Sequence, residues 1–154
     1  MNDIIIRVAT IAHVPALLRF EQGVITAERP FDITIKKMEH TRYYDLEHMI
    51  HADHIQLLVA ELNREPIGCG YARIEDAKHY LQHTHHAYLG FMYVVPPHRG
   101  KGVNRLIINA LFKWSQSKNI KEVRLDVYYG NTDAIKAYEK AGFVKHMLEM
   151  RVGL

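Results

Sequence analysis

Apolar positions along this chain alternate between a period of two and a period near 3.6, and each change of period marks the boundary of a predicted strand or helix. Residues 4–10 form a short β-rich run. From 12 to 26, Val14, Leu17, Leu18, Glu21 and Ile25 recur at helical spacing, with Pro15 tolerable in the first turn. Glu28-Arg29-Pro30-Phe31-Asp32 ends the pattern, because a residue before proline is pushed out of the helical region. Tyr44, Met49 and Ile50 resume helical spacing over 41–51, after a charged stretch at 36–39 that reads as a solvated face. Ile55–Leu62 and residues 67–74 are apolar runs separated by Asn63-Arg64-Glu65-Pro66, a turn of the size that joins antiparallel strands.

Residues 76–86 are polar, and an almost wholly apolar run follows at 88–95, predicting a strand buried on both faces. Ile107, Ala110, Leu111 and Trp114 place a helix over 104–117, and Val123, Leu125 and Val127 place a strand over 122–129. Strand, helix and strand in that order predict a parallel pair. Asn131 or Thr132 can cap a further helix that Gly142 ends, and 143–152 reads as a final strand. The expectation is an α/β fold, one domain over residues 1–154, with a mixed sheet of about six strands flanked by three to four helices.

Composition narrows the function classes. With 48% hydrophobic and 24% charged residues, the chain has the make-up of a soluble globular domain. No apolar run approaches the roughly 20 residues that span a bilayer, and Met1-Asn2-Asp3 puts no basic segment ahead of the first apolar run, so a cytoplasmic protein without a membrane partner is expected. A net charge of +3 does not imply nucleic acid. Cys69 is the single cysteine, set between Gly68 and Gly70 in a strand pattern, and is read as a packed thiol. His79, His83, His85 and His86 invite a metal reading, but Asp76 is the one carboxylate close by in sequence and no second ligand cluster appears, so no metal site is assigned.

The chemistry concentrates where the buried strand stops, at Val94-Val95-Pro96-Pro97-His98-Arg99-Gly100-Lys101-Gly102-Val103-Asn104. Two prolines break the run and a basic glycine turn leads into a helix. Glycines at 100 and 102 let backbone N–H groups converge, the helix N-terminus adds partial positive charge, and Arg99 and Lys101 add full charges, so the turn suits a phosphate. A plain basic turn capping a helix is the alternative. The Gly-x-x-x-x-Gly-Lys-Ser/Thr loop is absent, and Gly100-x-Gly102 lacks the third glycine of the dinucleotide fingerprint.

This stretch resembles the coenzyme A pyrophosphate loop of the GNAT superfamily of N-acetyltransferases, Arg/Gln-x-x-Gly-x-Gly/Ala after a Val-x-Pro strand end. Arg99, Gly102 and the Val94 to Pro96 strand end match, with Asn104 in place of the last small residue. Residues 131–143 resemble the family's second block, in Asn131, Ala134, Tyr138, Glu139, Lys140, Gly142 and Phe143. The resemblance implies a mostly antiparallel sheet, splayed between the fourth and fifth strands to admit the pantetheine arm. It also implies acetyl-CoA as donor and an amine acceptor, a small molecule, peptide or protein.

By the same resemblance, Met92, Tyr93, Val94, Arg99, Gly100, Lys101, Gly102, Val103, Asn104, Asn131, Ala134 and Tyr138 hold the coenzyme, and Tyr138 protonates the departing thiolate as general acid. A tyrosine of ordinary pKa, about 10, can do so without a tuned shift. Many members carry a Glu or His base four residues before the conserved Val, but Gly90 stands there; Tyr88, ordering a water in the space Gly90 leaves, and Glu28 are the candidates. Only about ten residues follow Gly142 where a wall-forming hairpin is common. Either a second copy supplies the wall, as a homodimer, or the site stays open to a bulky acceptor. A coenzyme A-binding sensor or interaction module is the alternative to an enzyme, motivated by Gly90, and a nucleotide-binding domain rests on the glycine turn alone.

Overall fold

The computed structural model describes residues 3–154. Its organising element is a five-stranded sheet in the order β1-β2-β3-β4-β5, formed by Ile4–Val8, Ile55–Leu62, Glu65–Asp76, His85–Val94 and Val123–Leu125. The first four strands pair antiparallel and β5 joins β4 in parallel. Helices α1 (Val14–Glu28) and α2 (Leu46–His51) cover one face, α3 (Val103–Ser117) covers the other, and α4 (Thr132–Lys140) follows β5.

The continuous apolar runs are explained by this two-sided burial. Leu57 and Val59 of β2 turn toward Leu17, Phe20 and Met49, whereas Leu58 and Ala60 turn toward Ile107 and Leu111. The β2–β3 hairpin closes through Asn63 and Arg64 alone, both at positive φ (53° and 67°), as a two-residue turn between twisted strands requires. Cys69 is fully buried and donates to the Phe91 carbonyl at 3.3 Å; burial holds its thiol well above the usual range, which fits a packing role.

Three predicted elements differ. The second helix begins at Leu46, not at 41, because the fully buried Glu21 carboxylate of α1 takes the N–H groups of Tyr43 (3.0 Å) and Tyr44 (2.8 Å) and the Arg42 guanidinium (2.5 Å). An extended segment is thereby tied to α1. The strand over 122–129 pairs only at Val123–Leu125, since the chain then diverges from β4. Residues 143–152 form no strand, so the sheet has five strands where about six were expected.

Candidate active site

The divergence of β4 and β5 builds a wedge-shaped opening. Ala87, Tyr88 and Leu89 face Val123, Arg124 and Leu125, and beyond them β4 continues to Val94 with no neighbour on that side. A β-bulge falls in this free half. Between the pairs Cys69–Tyr93 and Tyr71–Gly90, β4 has one more residue than β3, and Phe91 sits at φ 53°. A bulge leaves its extra residue outside the ladder, and a buried phenylalanine in the left-handed region is strained, so the packing around Phe91 enforces a backbone that re-aims Met92 and Tyr93. Their side chains separate. Met92 reaches toward Gly70 and α3, while Tyr93 packs on Phe20 (5.3 Å between centroids) and beside Gly23 on α1.

At the end of β4, Pro96–His98 make a short 3-10 turn, and Gly100 (φ 72°) and Gly102 (φ 84°) adopt left-handed conformations. A Cβ built at either would touch nothing within 4 Å, so these glycines serve the backbone path and leave open space beside it. Gly102 is the N-cap of α3 and no side chain caps the helix. The first-turn N–H groups are thus presented without a protein acceptor, and the cradle fits a pyrophosphate. Val103 is buried, so it offers only backbone. Arg99 is partly committed, donating Nε to the Val94 carbonyl (2.7 Å) and lying over the Tyr93 ring (5.4 Å). Lys101 is exposed, and Asn104 holds a buried Oδ1 with no partner.

The far wall is α4. Asn131 caps it, accepting from the Ala134 N–H at 3.3 Å, and the half-buried or buried positions Asn131, Ala134, Ile135, Tyr138 and Ala141 define its inner face. Gly142 (φ 105°) ends it: Phe143 N–H bonds the Tyr138 carbonyl and Gly142 N–H the Glu139 carbonyl. This helix end brings the Phe143 ring against Tyr138 (5.9 Å) and Phe112 (5.7 Å), fixing the Tyr138 ring.

Across the opening stands Glu28, at the end of α1. It accepts from Tyr43 at 2.9 Å and, despite that hydrogen bond, its carboxyl is raised above 4.5, chiefly by burial, with the Asp32 charge adding to the rise. Tyr138 is pushed up to about 12, first by burial and then by the Glu28 charge. The ordinary pKa expected for Tyr138 is therefore corrected. The phenol stays protonated through neutral pH but is a weaker acid than a free tyrosine. Asp32, next in the same loop, accepts from Thr34, from Tyr128 (3.2 Å) and from Arg151 (3.2 Å), and the Thr34 bonds, first among these, hold it below 3.8.

Gly90 leaves no space for a water. A Cβ there would lie 2.5 Å from the Tyr71 hydroxyl, so Tyr71 of β3 already fills the position. The Tyr88 hydroxyl is engaged elsewhere. It donates to Asp126 at 3.2 Å with the Arg73 guanidinium 5.4 Å from its ring, and burial, then Asp126, raise its pKa. Asp126, Asp32, Tyr43 and Tyr128 acquire partners only in the folded chain, where Tyr43, Asp126 and Tyr128 lie outside the helix and strand that the periodicity predicts for them; Glu21 looked like one member of a helical stripe. His83, His85 and His86 meet Glu122 (4.0 Å), Asp76 (3.1 Å) and Glu75 (3.8 Å) separately.

A profile of the acetyltransferase (GNAT) family matches residues 24–143, which spans the bulged strand, the glycine turn and α4. The chain belongs to the GNAT acetyltransferase family. It is accordingly an N-acetyltransferase, and acetyl-CoA is its donor. Among curated proteins it is similar to aminoglycoside N(6')-acetyltransferase type 1 of Salmonella typhimurium, 28% identical over 100 residues, covering 64% of this chain and 69% of the relative. Among solved structures it resembles a mutant BH1408 protein from Bacillus halodurans, at a TM-score of 0.89 and 21% identity, covering 97% of this chain and 99% of that one. The aminoglycoside N-acetyltransferase AAC(6')-Iy in complex with CoA superposes at a TM-score of 0.74 and 22% identity, covering 100% and 96%.

Proposed function

We propose that this acetyltransferase acts on a primary amine of a small, multiply cationic molecule, with Glu28 receiving the ammonium proton and Tyr138 supplying the proton to the leaving sulfur. What supports this is that Glu28, at the end of α1, lies near enough to Tyr138 of α4 for its charge to add to the burial that raises the phenol, and that Glu28 itself is a half-buried carboxylate held by Tyr43. Acetyl-CoA supplies an acetyl thioester. Everything else is done by the chain. Gly100, Gly102 and the first turn of α3 hold the anionic end, with Arg99 and Lys101 as rim charges, while Met92, Tyr93 and Val94 border the arm on one side and Asn131 and Ala134 on the other.

An alkylamine near pKa 10.4 is mostly protonated at neutral pH, so a base is required. Glu28 fits because burial makes it a stronger base than a solvated carboxylate, and Tyr43 orients one of its oxygens. Backbone N–H groups at the bulge meet the negative charge that develops on the acetyl oxygen. Glu28 with Tyr43, Asp32 with Tyr128 and Asp126 with Tyr88 each set a carboxylate beside an aromatic ring, side chains suited to ammonium groups. The aminoglycoside N(6')-acetyltransferases among the relatives support the same class.

The second reading, a coenzyme A-binding sensor, is favoured by one observation: Tyr71 occupies the position above Gly90 where a strand-borne base would stand. Thiol release from acetyl-CoA, followed with aminoglycosides, polyamines, amino acids and basic peptides, separates the two. Turnover is expected with polycationic small amines and not with acidic or neutral ones. Tight acetyl-CoA binding with no thiol release from any acceptor would replace the enzyme reading by the sensor.

A further inference from the structure

Tyr71 reaches the point where β4 and β5 part. Leu89–Leu125 is the last pair between those strands, so Gly90 is the first β4 residue on the open side, and Phe91 next to it carries the bulge. Tyr71 of β3 is directed onto this spot: a Cβ at Gly90 would lie 2.5 Å from its hydroxyl oxygen. Any side chain at 90 would displace the phenol. The ring is fixed from several sides, since Tyr44 meets it edge-on at 6.0 Å while stacking on Phe91 at 4.5 Å, and the Arg73 guanidinium lies 5.5 Å from its centre.

Phenylalanine would fill the same volume, so packing alone does not require the hydroxyl. Tyr71 is 3% exposed, and a buried hydroxyl ordinarily has an acceptor for its proton. Tyr43, Tyr88 and Tyr128 give theirs to Glu28, Asp126 and Asp32, whereas Tyr71 donates to no acceptor among the described residues. Its proton is free for a ligand. Burial raises the phenol above 10.0, so it stays protonated at neutral pH, while the Arg73 charge draws it back toward the ordinary value and makes it a better donor. Arg73 is itself held by Glu75, which accepts from Nε at 3.0 Å and Nη2 at 2.7 Å. An uncommitted donor, buried and backed by a fixed cation, suits an oxygen that gains negative charge during a reaction.

We propose that the Tyr71 hydroxyl is a catalytic donor to the acetyl oxygen of acetyl-CoA, added from β3 to the backbone N–H groups of the bulge; this rests on the acetyl-transfer reading of the opening. The amine, after giving one proton to Glu28, bonds to the carbonyl carbon, and the C=O π pair moves onto the oxygen that Tyr71 holds. Tyr71 keeps its own proton throughout. When the pair returns, the C–S bond breaks, Tyr138 protonates the sulfur, and water takes the second proton from nitrogen. Because the hydrogen bond strengthens only as charge develops on the oxygen, it acts on turnover and not on ground-state binding. Gly90 is then the residue that lets a side chain from the neighbouring strand reach the reacting carbonyl.

Two variants separate the donor from the ring: Tyr71→Phe keeps the ring and removes the donor, and Gly90→Ala keeps the donor and displaces it. Thiol release is followed with spermidine, with an aminoglycoside, and with no amine at all, where water attacks the same thioester through the same oxyanion. Tyr71→Phe should lower kcat by roughly 100-fold. The factor should be the same for both amines and for hydrolysis, with KM and the calorimetric affinity for acetyl-CoA within about twofold of wild type. Gly90→Ala should show the same loss, and the double variant no more than Tyr71→Phe alone, because both act on one oxygen. If Gly90→Ala does not fold, Tyr71→Phe decides. Turnover within about twofold of wild type overturns the proposal, as does a loss shared with acetyl-CoA affinity. A loss confined to amine transfer also overturns it, placing the hydroxyl on the amine. Should neither amine be acetylated, the acceptor reading falls while hydrolysis still decides on Tyr71, and wild-type hydrolysis no faster than in buffer overturns its role.

Discussion

The sheet from β1 to β4 with α1 and α3, and the stretch from Lys121 to Leu154, are built to different standards of burial. The first region contains Leu17, Ile25, Val59, Leu89, Ile107 and Leu111 at 2% exposure or less. In the second, Ala141 alone is buried, and α4 has no fully buried side chain. A helix with that little core is held by its caps, by the Tyr138–Phe143–Phe112 contacts and by Arg105, which donates to the Lys140 carbonyl at 2.6 Å. The difference shows where this fold stabilises itself and where it waits for other molecules. One side of the second region faces the coenzyme opening, and residues 144–154 beyond it are exposed.

The largest expected effect sits in the first region. Ile107→Ala opens a cavity against both β3 and β4 and should cost about 2–5 kcal/mol in chemical denaturation. Ile135→Ala, on the inner face of α4, should cost under about 1 kcal/mol in the absence of acetyl-CoA. Equal losses would abolish the distinction between the regions.

Glu28 belongs to the first region and acts on the second. As base it must be ionised, so turnover should climb as pH rises through its raised pKa and level off above. Glu28→Gln should lower the plateau by about 100-fold and remove that climb. Stability moves the other way. A carboxyl whose folded pKa is raised contributes stability below its unfolded value and loses it as pH rises through the folded value, so the Gln variant should be no less stable than wild type at neutral pH. Thermal melts from acid to neutral pH, beside the rate profile, distinguish a base from a residue that merely braces Tyr43.

The glycine cradle tests whether the second region is completed by ligand. At φ 84°, valine in place of Gly102 is strained by about 1–3 kcal/mol, so Gly102→Val should weaken acetyl-CoA roughly 5- to 150-fold by calorimetry. The exposed Lys101→Ala should cost no more than about 1 kcal/mol. Equal losses would make the turn a diffuse basic patch. Hydrogen exchange should also slow on adding acetyl-CoA, more in α4 than in β2.

The same division governs how much was legible in the sequence. Strands buried on both faces, the amphipathic α1 and α3, the positive-φ glycines and the cap residues of α4 announce themselves through local composition. Helix 41–51 was over-extended because its backbone donors are claimed by Glu21, a contact across some twenty residues that no local pattern carries. The space above Gly90 was misread for a similar reason: Tyr71 comes from the neighbouring strand, in a register altered by the bulge. Asp126 and Asp32 acquire meaning only through Tyr88 and Tyr128, from distant elements. The alternating pattern at 143–152 is present in the sequence, but a strand also needs a paired neighbour, and residues 144–154 make no backbone–backbone hydrogen bond.

The smallest effect is asked of Tyr138, the second region's own contribution to the chemistry. Tyr138→Phe keeps the ring that packs on Phe143 and removes only the hydroxyl, so acetyl-CoA affinity and melting temperature should change little. General acid catalysis is worth roughly 100- to 10,000-fold where it is needed. Two facts place Tyr138 below that range: a thiolate, with a thiol pKa near 8.5, already leaves readily, and a phenol pushed up to about 12 gives its proton less willingly than a free one. About a tenfold loss in turnover is expected. With the phenol protonated throughout pH 6 to 10, that loss should be constant across the range and not fade toward alkaline pH. Rates for both proteins over that interval, with affinities by calorimetry, check this. Turnover within twofold would mean that water protonates the sulfur and that the ring alone matters, whereas a loss expressed in affinity would assign the hydroxyl to binding.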